Sequence, residues 1–224
     1  MHSVVASNLG EIQEIIRGKS THTVKVVGVT KNRTPEEIRE LREQGIVDMG
    51  ENRVQEFLRK IENTPQDIRW HFIGHLQRNK VKYLVKLPQL SLIHSVDSLR
   101  LARKISSEAE KADRVMPVLL QINIAEEKQK HGFFVSELWE VLDEIDSLEN
   151  IDVKGLMTMA PFAEDPEQVR SVFASLRKLS EEISNHTWNN IEMKELSMGM
   201  SQDYSVAIEE GATIVRLGRI LFAK

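Results

Sequence analysis

The chain has 224 residues and a formal net charge of -4, with 30 basic against 34 acidic residues, so it has no global basic field for holding nucleic acid or an anionic membrane. It has no cysteine, which excludes disulfides, thiolate metal sites and cysteine nucleophiles. No apolar run approaches the roughly 20 residues that span a bilayer, and we expect a soluble, cytoplasmic protein.

The first two predicted elements are a helix and a buried strand. The N-terminal segment predicts an amphipathic helix, with apolar residues at helical spacing at Val5, Leu9, Ile12 and Ile16. The run Val24–Lys31 is rich in β-branched residues and lacks helical spacing, so it predicts a strand that ends on Lys31. Thr34 and Glu37 then form a capping box with Pro35 at the first helical position, which predicts a helix directly after the strand.

Seven further strand candidates follow, separated by segments with helical spacing. The strands are expected over 46–52, 69–74, 92–96, 115–124, 153–157, 194–197 and 213–217. The helices between them are expected over 53–61, 77–85, 99–109, 138–145, 166–179 and 204–210. Eight strands alternating with helices behind one extra N-terminal helix predict an α/β fold, a single (β/α)8 TIM barrel in which residues 1–224 form one domain. The alternative is an open doubly wound sheet, but no G-x-G-x-x-G turn occurs.

Glycine turns follow the last two predicted strands, at the usual phosphate site of a TIM barrel. Gly199 and Gly218 would let the backbone approach a ligand there, and Ser201 would offer a hydroxyl at a helix N-terminus. The alternative is that the glycines only make turns and Ser201 only caps a helix. Asp203 is an unfavourable neighbour for a phosphate, and we expect it to face away and cap its own helix.

Lys31 is expected on the same rim as this phosphate site. A lysine beside a phosphate site indicates an aldehyde held as a Schiff base, for which pyridoxal 5'-phosphate (PLP) is the obvious candidate. We expect the barrel mouth to bury the amine, which favours the neutral form that condenses. Arg216 beside the pyridine nitrogen would keep that nitrogen unprotonated and leave the cofactor bound but poorly activated. The alternative is that Lys31 is a solvated strand end.

No metal site and no hydrolase triad are expected. His71 and His75 are four residues apart, but they straddle a strand end, lack the glutamate of H-E-x-x-H and have no third ligand nearby. No G-x-S-x-G nucleophile elbow is present.

Six segments in order resemble the YggS/PROSC family of PLP homeostasis proteins, whose barrel is similar to the N-terminal domain of bacterial alanine racemases. They cover residues 29–31, 50–56, 70–77 with Asn79 and Lys80, 121–123 leading to Glu127, Lys130 and Gly132, 155–161, and 196–201 with Asp203. The resemblance extends over nearly the whole chain.

The motifs and the resemblance together predict a set of cofactor-binding residues on the barrel rim. They are Lys31, Asn52, Met198, Gly199, Ser201, Arg216, Gly218 and Arg219. The resemblance implies that Lys31 carries the Schiff base, that Asn52 lies near the cofactor ring and that Arg216 lies at the pyridine nitrogen. Ser201, Gly218 and the residue after it are implied to hold the phosphate. That last residue is Arg219 where a small hydroxyl residue is expected, so a side-chain hydroxyl contact is lost while the backbone N–H remains. The Arg219 side chain either neutralises the phosphate from outside or points into solvent.

The main functional alternative is a PLP-dependent amino-acid racemase. In alanine racemases the second acid/base is a tyrosine from a separate C-terminal domain that acts across a dimer. This chain has only Tyr83 and Tyr204, both in predicted helices, and we expect no second domain. Loss of an acid/base step is worth about 10²- to 10⁴-fold in rate. We therefore predict no catalytic residues and a monomer that binds, buffers and delivers PLP.

Apo PLP enzymes are the recipients that this prediction implies, and the sequence names none of them. A charged loop over 126–131 is expected on the same rim. It is either a solvated loop or a segment in which Lys130 assists cofactor exchange or forms a second attachment point.

Overall fold

Eight parallel strands follow one another in chain order and close into a barrel in the computed structural model, which describes residues 3–127 and 129–223. The strands are β1 Lys25–Val29, β2 Asp48–Glu51, β3 Arg69–Phe72, β4 Leu90–Val96, β5 Met116–Gln121, β6 Ile151–Met157, β7 Ile191–Ser197 and β8 Ile214–Leu217. The predicted TIM barrel is therefore confirmed. Within the described ranges, no helix combines the length and apolarity that crossing a bilayer requires.

Helices connect the strands and cover the outside of the barrel. They are α1 Val4–Lys19, α2 Pro35–Glu43, α3 Val54–Ile61, α4 Val81–Leu84, α5 Leu99–Glu110, α6 Val135–Asp146, α7 Arg170–Ser184, α8 Tyr204–Glu209 and α9 Arg219–Phe222. Short 3-10 turns, Arg78–Lys80 and Pro166–Val169, precede α4 and α7. The extra helix α1 buries Val5, Leu9 and Ile12, as its spacing predicts, and contacts α8 and α9.

Local sequence signals set several of these boundaries. The capping box before α2 is present: the Glu37 N–H donates to Thr34 Oγ1, and the Thr34 N–H donates to the Glu37 carboxylate. Ser98 is the N-cap of α5, and its Oγ accepts a hydrogen bond from the N–H of Leu101. Side-chain oxygens at these positions satisfy N–H groups that the first turn of a helix leaves free.

Most strand boundaries differ from the prediction by a few residues, and some differences concern the elements themselves. Strand β1 ends at Val29, because the chain turns immediately afterwards, with the Arg33 N–H donating to the Thr30 carbonyl at 2.9 Å. The helix expected over 77–85 is a 3-10 turn followed by the short α4, and the helix expected from Pro166 also begins as a 3-10 turn. Helix α9 was not predicted, since four residues are too few to show a period.

The barrel has an apolar core on each side of its wall. The larger core lies between strands and helices, and a smaller cluster consists of Val27, Leu92, Leu119, Met157 and Ile214 from five different strands. A strand covered on both faces reads as a nearly continuous apolar run, which is why β1 and β5 could be predicted from sequence. Polar side chains are also fully buried in the barrel, and they include His71, His94 and Ser197.

Candidate functional site

A cavity of about 420 Å³ opens at the C-terminal end of the barrel, within the roughly 300–1,000 Å³ typical of small-molecule sites. Its lining comes from the C-terminal ends of β1 and β8 and from the segments after β1, β2, β3, β6, β7 and β8. The polar residues that line it are Lys31, Asn52, Ser201, Gln202, Asp203, Arg216 and Arg219. The two regions that the sequence singled out, the end of β1 and the turns after β7 and β8, therefore meet in one cavity.

Lys31 lies two residues beyond the end of β1 and lines this cavity. Its side chain is exposed, so the expected burial of the amine is wrong. The reason is the early end of β1, which places Lys31 on the loop above the barrel mouth and in contact with water.

A buried ion pair holds the backbone on both sides of the site. The ammonium of Lys60, on α3, pairs with the carboxylate of Glu51 and donates a hydrogen bond to the Thr30 carbonyl at 2.6 Å. Glu51 accepts from the Asn52 N–H at 2.7 Å and from the Thr30 hydroxyl at 3.1 Å. Since Glu51 is 0% and Lys60 6% exposed, this network is dry, and it fixes the residues next to Lys31 and Asn52 itself.

Asn52 presents an unpaired oxygen at the cavity wall. Its Oδ1 is shielded from solvent and has no hydrogen-bond partner among the described residues. Buried polar atoms are rarely left unpaired in folded proteins, so this oxygen marks a place where a ligand donor fits. Gly74 packs closely here, because a Cβ at that position would lie 2.7 Å from the Asn52 Cα.

The turns after β7 and β8 form a cluster of hydrogen-bond donors. The Ser201 hydroxyl accepts long hydrogen bonds from the N–H groups of Gly218 and Ile220, at 3.4 and 3.5 Å. Two backbone N–H groups and one hydroxyl thus converge near the start of α9, an arrangement suited to an anion. Helix α8 begins only at Tyr204, so Ser201 does not occupy its N-cap position.

Asp203 lines the cavity, but its carboxylate is bound within its own turn. It occupies the N-cap position of α8 without the expected side-chain cap, and its Oδ1 accepts from the Met200 N–H at 2.6 Å. Burial raises the pKa of Asp203. A higher pKa reduces the repulsion that an anion would meet.

Met198 and Gly199 do not line the cavity. Met198 is fully buried in the apolar core. Gly199 has a φ of +89°, and a Cβ there would lie 2.6 Å from the Cβ of Ala207 on α8. Gly199 therefore allows the chain to turn tightly beneath α8, which is the turn-forming alternative considered from the sequence.

Arg216 lies on β8 at the floor of the cavity and is 4% exposed. Its Nη1 donates to Ser197 Oγ at 2.6 Å and its Nη2 to the Thr158 carbonyl at 2.9 Å. Burial lowers the pKa of Arg216 to about 10, so the guanidinium stays charged at neutral pH. These bonds use two of the five N–H groups of this planar cation, which also lines the cavity.

Arg219 is exposed at the rim of the cavity. Its guanidinium contacts only the edge of the site, with a 3.5 Å hydrogen bond to Gln202 Oε1. It is the first residue of α9 and lies between Gly218 and Ile220, whose N–H groups donate to Ser201 Oγ.

Other candidate residues lie outside this cavity. Lys130 and Glu127 form an ion pair of 2.8 Å in the loop after β5, and neither lines the cavity. His71 and His75 do not share a site, because His71 is buried in the barrel whereas His75 is exposed. The sequence did not predict that His75 has polar neighbours from later loops, Asp97 and His131.

Sequence reasoning assigned no role to the apolar wall of the cavity. The loop after β6 contributes Met159, Ala160, Pro161, Phe162 and Ala163 to the lining. Phe162 is 76% exposed, which is unusual for a large apolar side chain. In the sequence this loop is visible only as a short apolar run after a strand, and such runs more often belong to a hydrophobic core.

The chain is similar to several proteins of known name or structure. The profile for the N-terminal domain of alanine racemase matches residues 3–224. A pyridoxal phosphate homeostasis protein from Aquifex aeolicus is 45% identical over 208 residues, covering 92% of this chain and 90% of the relative. One from Synechocystis is 40% identical over 202 residues, covering 89% and 91%. The structure of PipY from Synechococcus elongatus with PLP bound covers 98% of this chain and 100% of its own, with 32% identity and a TM-score of 0.85.

Proposed function

Because this chain belongs to the family of pyridoxal phosphate homeostasis proteins, which share the alanine racemase N-terminal domain, we propose that it binds PLP in the barrel mouth, buffers it and delivers it to apo-enzymes in the cytoplasm. The observation that carries the proposal is one cavity containing an amine, an unpaired amide oxygen, a buried guanidinium and a cluster of N–H donors. PipY, which is described with PLP bound, supports the same ligand.

The Lys31 amine would attach the cofactor covalently. Its neutral Nζ would condense with the aldehyde, so that a C=N bond forms and one water leaves. Lys31 is exposed on a loop, while the Lys60–Glu51 pair fixes the backbone beneath it. An exposed amine on a fixed backbone suits a tether that must also release its ligand.

The other end of the cavity would hold the phosphate. Ser201 Oγ and the N–H groups of Gly218, Arg219 and Ile220 would donate to its oxygens, with the Arg219 side chain at the rim. Arg216 would donate a hydrogen bond to the pyridine nitrogen, and Asn52 Oδ1 would accept a hydrogen bond from the hydroxyl group on the cofactor ring. Since the pKa of Arg216 stays well above neutral, a proton on the pyridine nitrogen would be disfavoured.

When bound, PLP supplies an electron sink that stabilises carbanions. The residues around the cavity limit the reactions in which this electron sink can take part. Neither of the two tyrosines lines the cavity: Tyr83 is exposed on α4, and Tyr204 is buried at the start of α8. Among the carboxylates and imidazoles of the described residues, only Asp203 lines it, and that carboxylate accepts from the Met200 N–H. We therefore propose a carrier rather than a racemase.

A binding titration and a turnover assay test this function together. PLP added to the purified protein should saturate at one equivalent, with a change in absorbance that ultrafiltration does not remove. Incubation of the loaded protein with single L-amino acids should form no appreciable D-isomer, whereas steady racemisation would refute the carrier role. A coupled assay with an apo PLP enzyme should then show activity restored by the loaded protein.

The same proposal describes a monomer. The residues to which we assign the cofactor all belong to this chain, so the proposal invokes no second subunit. Light scattering of the loaded protein checks this, and a dimer whose dissociation releases PLP would contradict it.

A further inference from the structure

A continuous series of hydrogen-bonded side chains crosses the barrel interior from the cavity to the opposite end; we call it the interior relay. Arg216 Nη1 lies 2.6 Å from Ser197 Oγ, which lies 2.8 Å from His94 Nδ1. His94 Nε2 lies 2.8 Å from His71 Nδ1, and His71 Nε2 lies 2.9 Å from Asp48 Oδ1. All five residues are between 0% and 6% exposed.

The interior relay has a charged group at each end. At the cavity end, Arg216 can only donate hydrogen bonds. At the other end, Asp48 accepts two hydrogen bonds from Arg69, at 3.0 and 2.7 Å. Hydrogen bonds from His71 and Arg69 hold the pKa of Asp48 far below its usual range despite burial, so Asp48 can only accept.

These ends fix the direction of every bond between them. Ser197 Oγ accepts from Arg216 and therefore has its own hydrogen free for His94 Nδ1. His94 then carries its hydrogen on Nε2 and donates to His71 Nδ1. His71 likewise carries its hydrogen on Nε2 and donates to Asp48. Each buried polar atom is satisfied when both imidazoles are neutral and in the Nε2–H form.

A charged imidazole would break this pattern. If His94 were protonated on both nitrogens, it and Arg216 would both donate to Ser197, whose hydrogen would lose its acceptor. The groups that face the two imidazoles are Asp48, Arg69, Arg216 and Lys25, the last paired with Glu195 at 3.2 Å. Burial lowers the pKa of both histidines, against the pull of Asp48 on His71.

We propose that Ser197, His94 and His71 are positioning residues that hold the Arg216 guanidinium as a fixed donor toward the pyridine nitrogen of bound PLP. This inference rests on the proposed function for its purpose, but the hydrogen-bond pattern is a property of the cofactor-free protein. The interior relay presents Ser197 Oγ as the acceptor for Nη1 of the guanidinium, and the Thr158 carbonyl accepts from Nη2. Because Arg216 also lines the cavity, its remaining N–H groups are available to a ligand there.

The first test is the protonation state of the imidazoles. In cofactor-free protein with ¹⁵N-labelled histidine, two-bond ¹H–¹⁵N correlations should show His71 and His94 as neutral Nε2–H tautomers that do not titrate between about pH 6 and pH 8. An imidazolium signal or the Nδ1–H tautomer for His94 would overturn the proposal.

The second test separates positioning from folding. Ser197→Ala should weaken PLP binding about tenfold and shift the absorption maximum of the bound cofactor, because it removes one acceptor from a charged donor. Ser106→Ala is the matched control, since Ser106 is also a buried serine but lies on α5 with only a 3.4 Å bond from the Asn150 N–H. Equal affinity and equal spectra for the two variants would overturn the proposal. If the wild-type protein failed to bind PLP, the proposed function would fail, while the tautomer measurement would still decide the relay.

A second, independent observation concerns three exposed loops. His75 after β3, Asp97 after β4 and His131 after β5 place one ligand atom each within 4.8 Å of one another. The Asp97 carboxylate is 10% exposed, and its Oδ2 lies 3.0 Å from His75 Nδ1 and 3.8 Å from His131 Nδ1. Bonds of about 2.0–2.1 Å at tetrahedral angles separate zinc ligands by about 3.3 Å, between these two distances.

We infer that these three side chains form a site for a divalent transition metal such as Zn²⁺, with its open position toward solvent. The two imidazole rings are stacked at 3.8 Å, so one ring must turn about its Cβ–Cγ bond to direct its nitrogen at the ion. Both rings are free to do so, because the side chains of His75 and His131 are 45% and 59% exposed.

A Co²⁺ titration of the cofactor-free protein, followed by visible absorption and reversed by Zn²⁺, tests this site. Binding should saturate at one equivalent, and His75→Ala and His131→Ala should each weaken it at least about tenfold. His186→Ala, which removes an exposed histidine that lies beside Trp139 and Trp188, should leave it unchanged. Absence of saturable binding, or binding in the His75 and His131 variants equal to that control, would refute the site.

Discussion

The ion pair beneath the cavity gives the sharpest stability prediction. Replacing Lys60 by Met removes the partner of a carboxylate that is 0% exposed. Removing one partner of a buried pair costs about 3–5 kcal/mol, because the other charge stays buried and uncompensated. For a chain of this length, about 2–4 °C is lost per kcal/mol, so the melting temperature of Lys60→Met should fall by roughly 6–20 °C.

A double-mutant cycle shows whether charge is the cause. Adding Glu51→Gln to Lys60→Met removes the orphaned charge while keeping an acceptor for the Asn52 N–H, so the double variant should be more stable than Lys60→Met alone. Arg42→Met is the control, since it breaks an ion pair with Asp67 that is exposed on both sides, and its effect should be small. Equal destabilisation by Lys60→Met and Arg42→Met in urea unfolding would refute the reasoning.

Three further predictions concern the cavity and the barrel interior. Ser201→Ala should weaken PLP binding about tenfold or more while changing stability little, because the hydroxyl's bonds within the protein are long; a comparable loss of fold, seen in thermal unfolding, would contradict this. Gly199→Ala should strongly destabilise the protein, since φ is +89° and the added Cβ meets Ala207; an unchanged urea midpoint would show that this turn relaxes. The free energy of unfolding should fall as pH drops below 6.5, the ordinary pKa of histidine. Burial lowers the pKa of His71 and His94 in the folded protein, so the unfolded chain binds protons that the folded protein does not. Each histidine contributes up to about 1.4 kcal/mol per pH unit to this loss, and Asp48 adds its own loss only below its unfolded pKa of 3.8. His94→Gln should therefore reduce the slope of unfolding free energy against pH between about pH 6.5 and pH 5. An unchanged slope would mean that His94 titrates normally.

The barrel could be predicted because its signals are local and repeated. Strands such as β5 are apolar on both faces, and the capping box before α2 and Ser98 before α5 mark helix starts. Short elements could not be found in the same way. Helix α9 and the 3-10 turns lack a full period, and the end of β1 depends on a turn that the apolar run does not reveal.

Part of the candidate site could also be predicted from the sequence. Lys31, Ser201, Arg216 and Gly218 could be brought together because the C-terminal ends of barrel strands share one rim. The solvent exposure of Lys31 could not be predicted from the sequence, because it depends on where β1 ends.

The interior contacts could not be predicted from spacing. Glu51 and Lys60 pair across a strand and a helix, and Asp48, His71 and His94 meet only when three strands close side by side. In the sequence, Glu51 and Lys60 stand beside other polar residues, and His71 and His94 lie within short strand segments, so nothing in their spacing indicates their partners. Tertiary packing alone determines their partners.

The most direct test of the central claim is to locate the covalent bond to the cofactor. Protein loaded with PLP is reduced with borohydride, digested and mapped by mass spectrometry, beside a Lys31→Ala variant treated identically. We predict a single modified lysine, Lys31, and loss of both the absorbance band and the label in the variant. Label on another lysine, or a band retained in Lys31→Ala, would contradict the proposal that this residue tethers the cofactor.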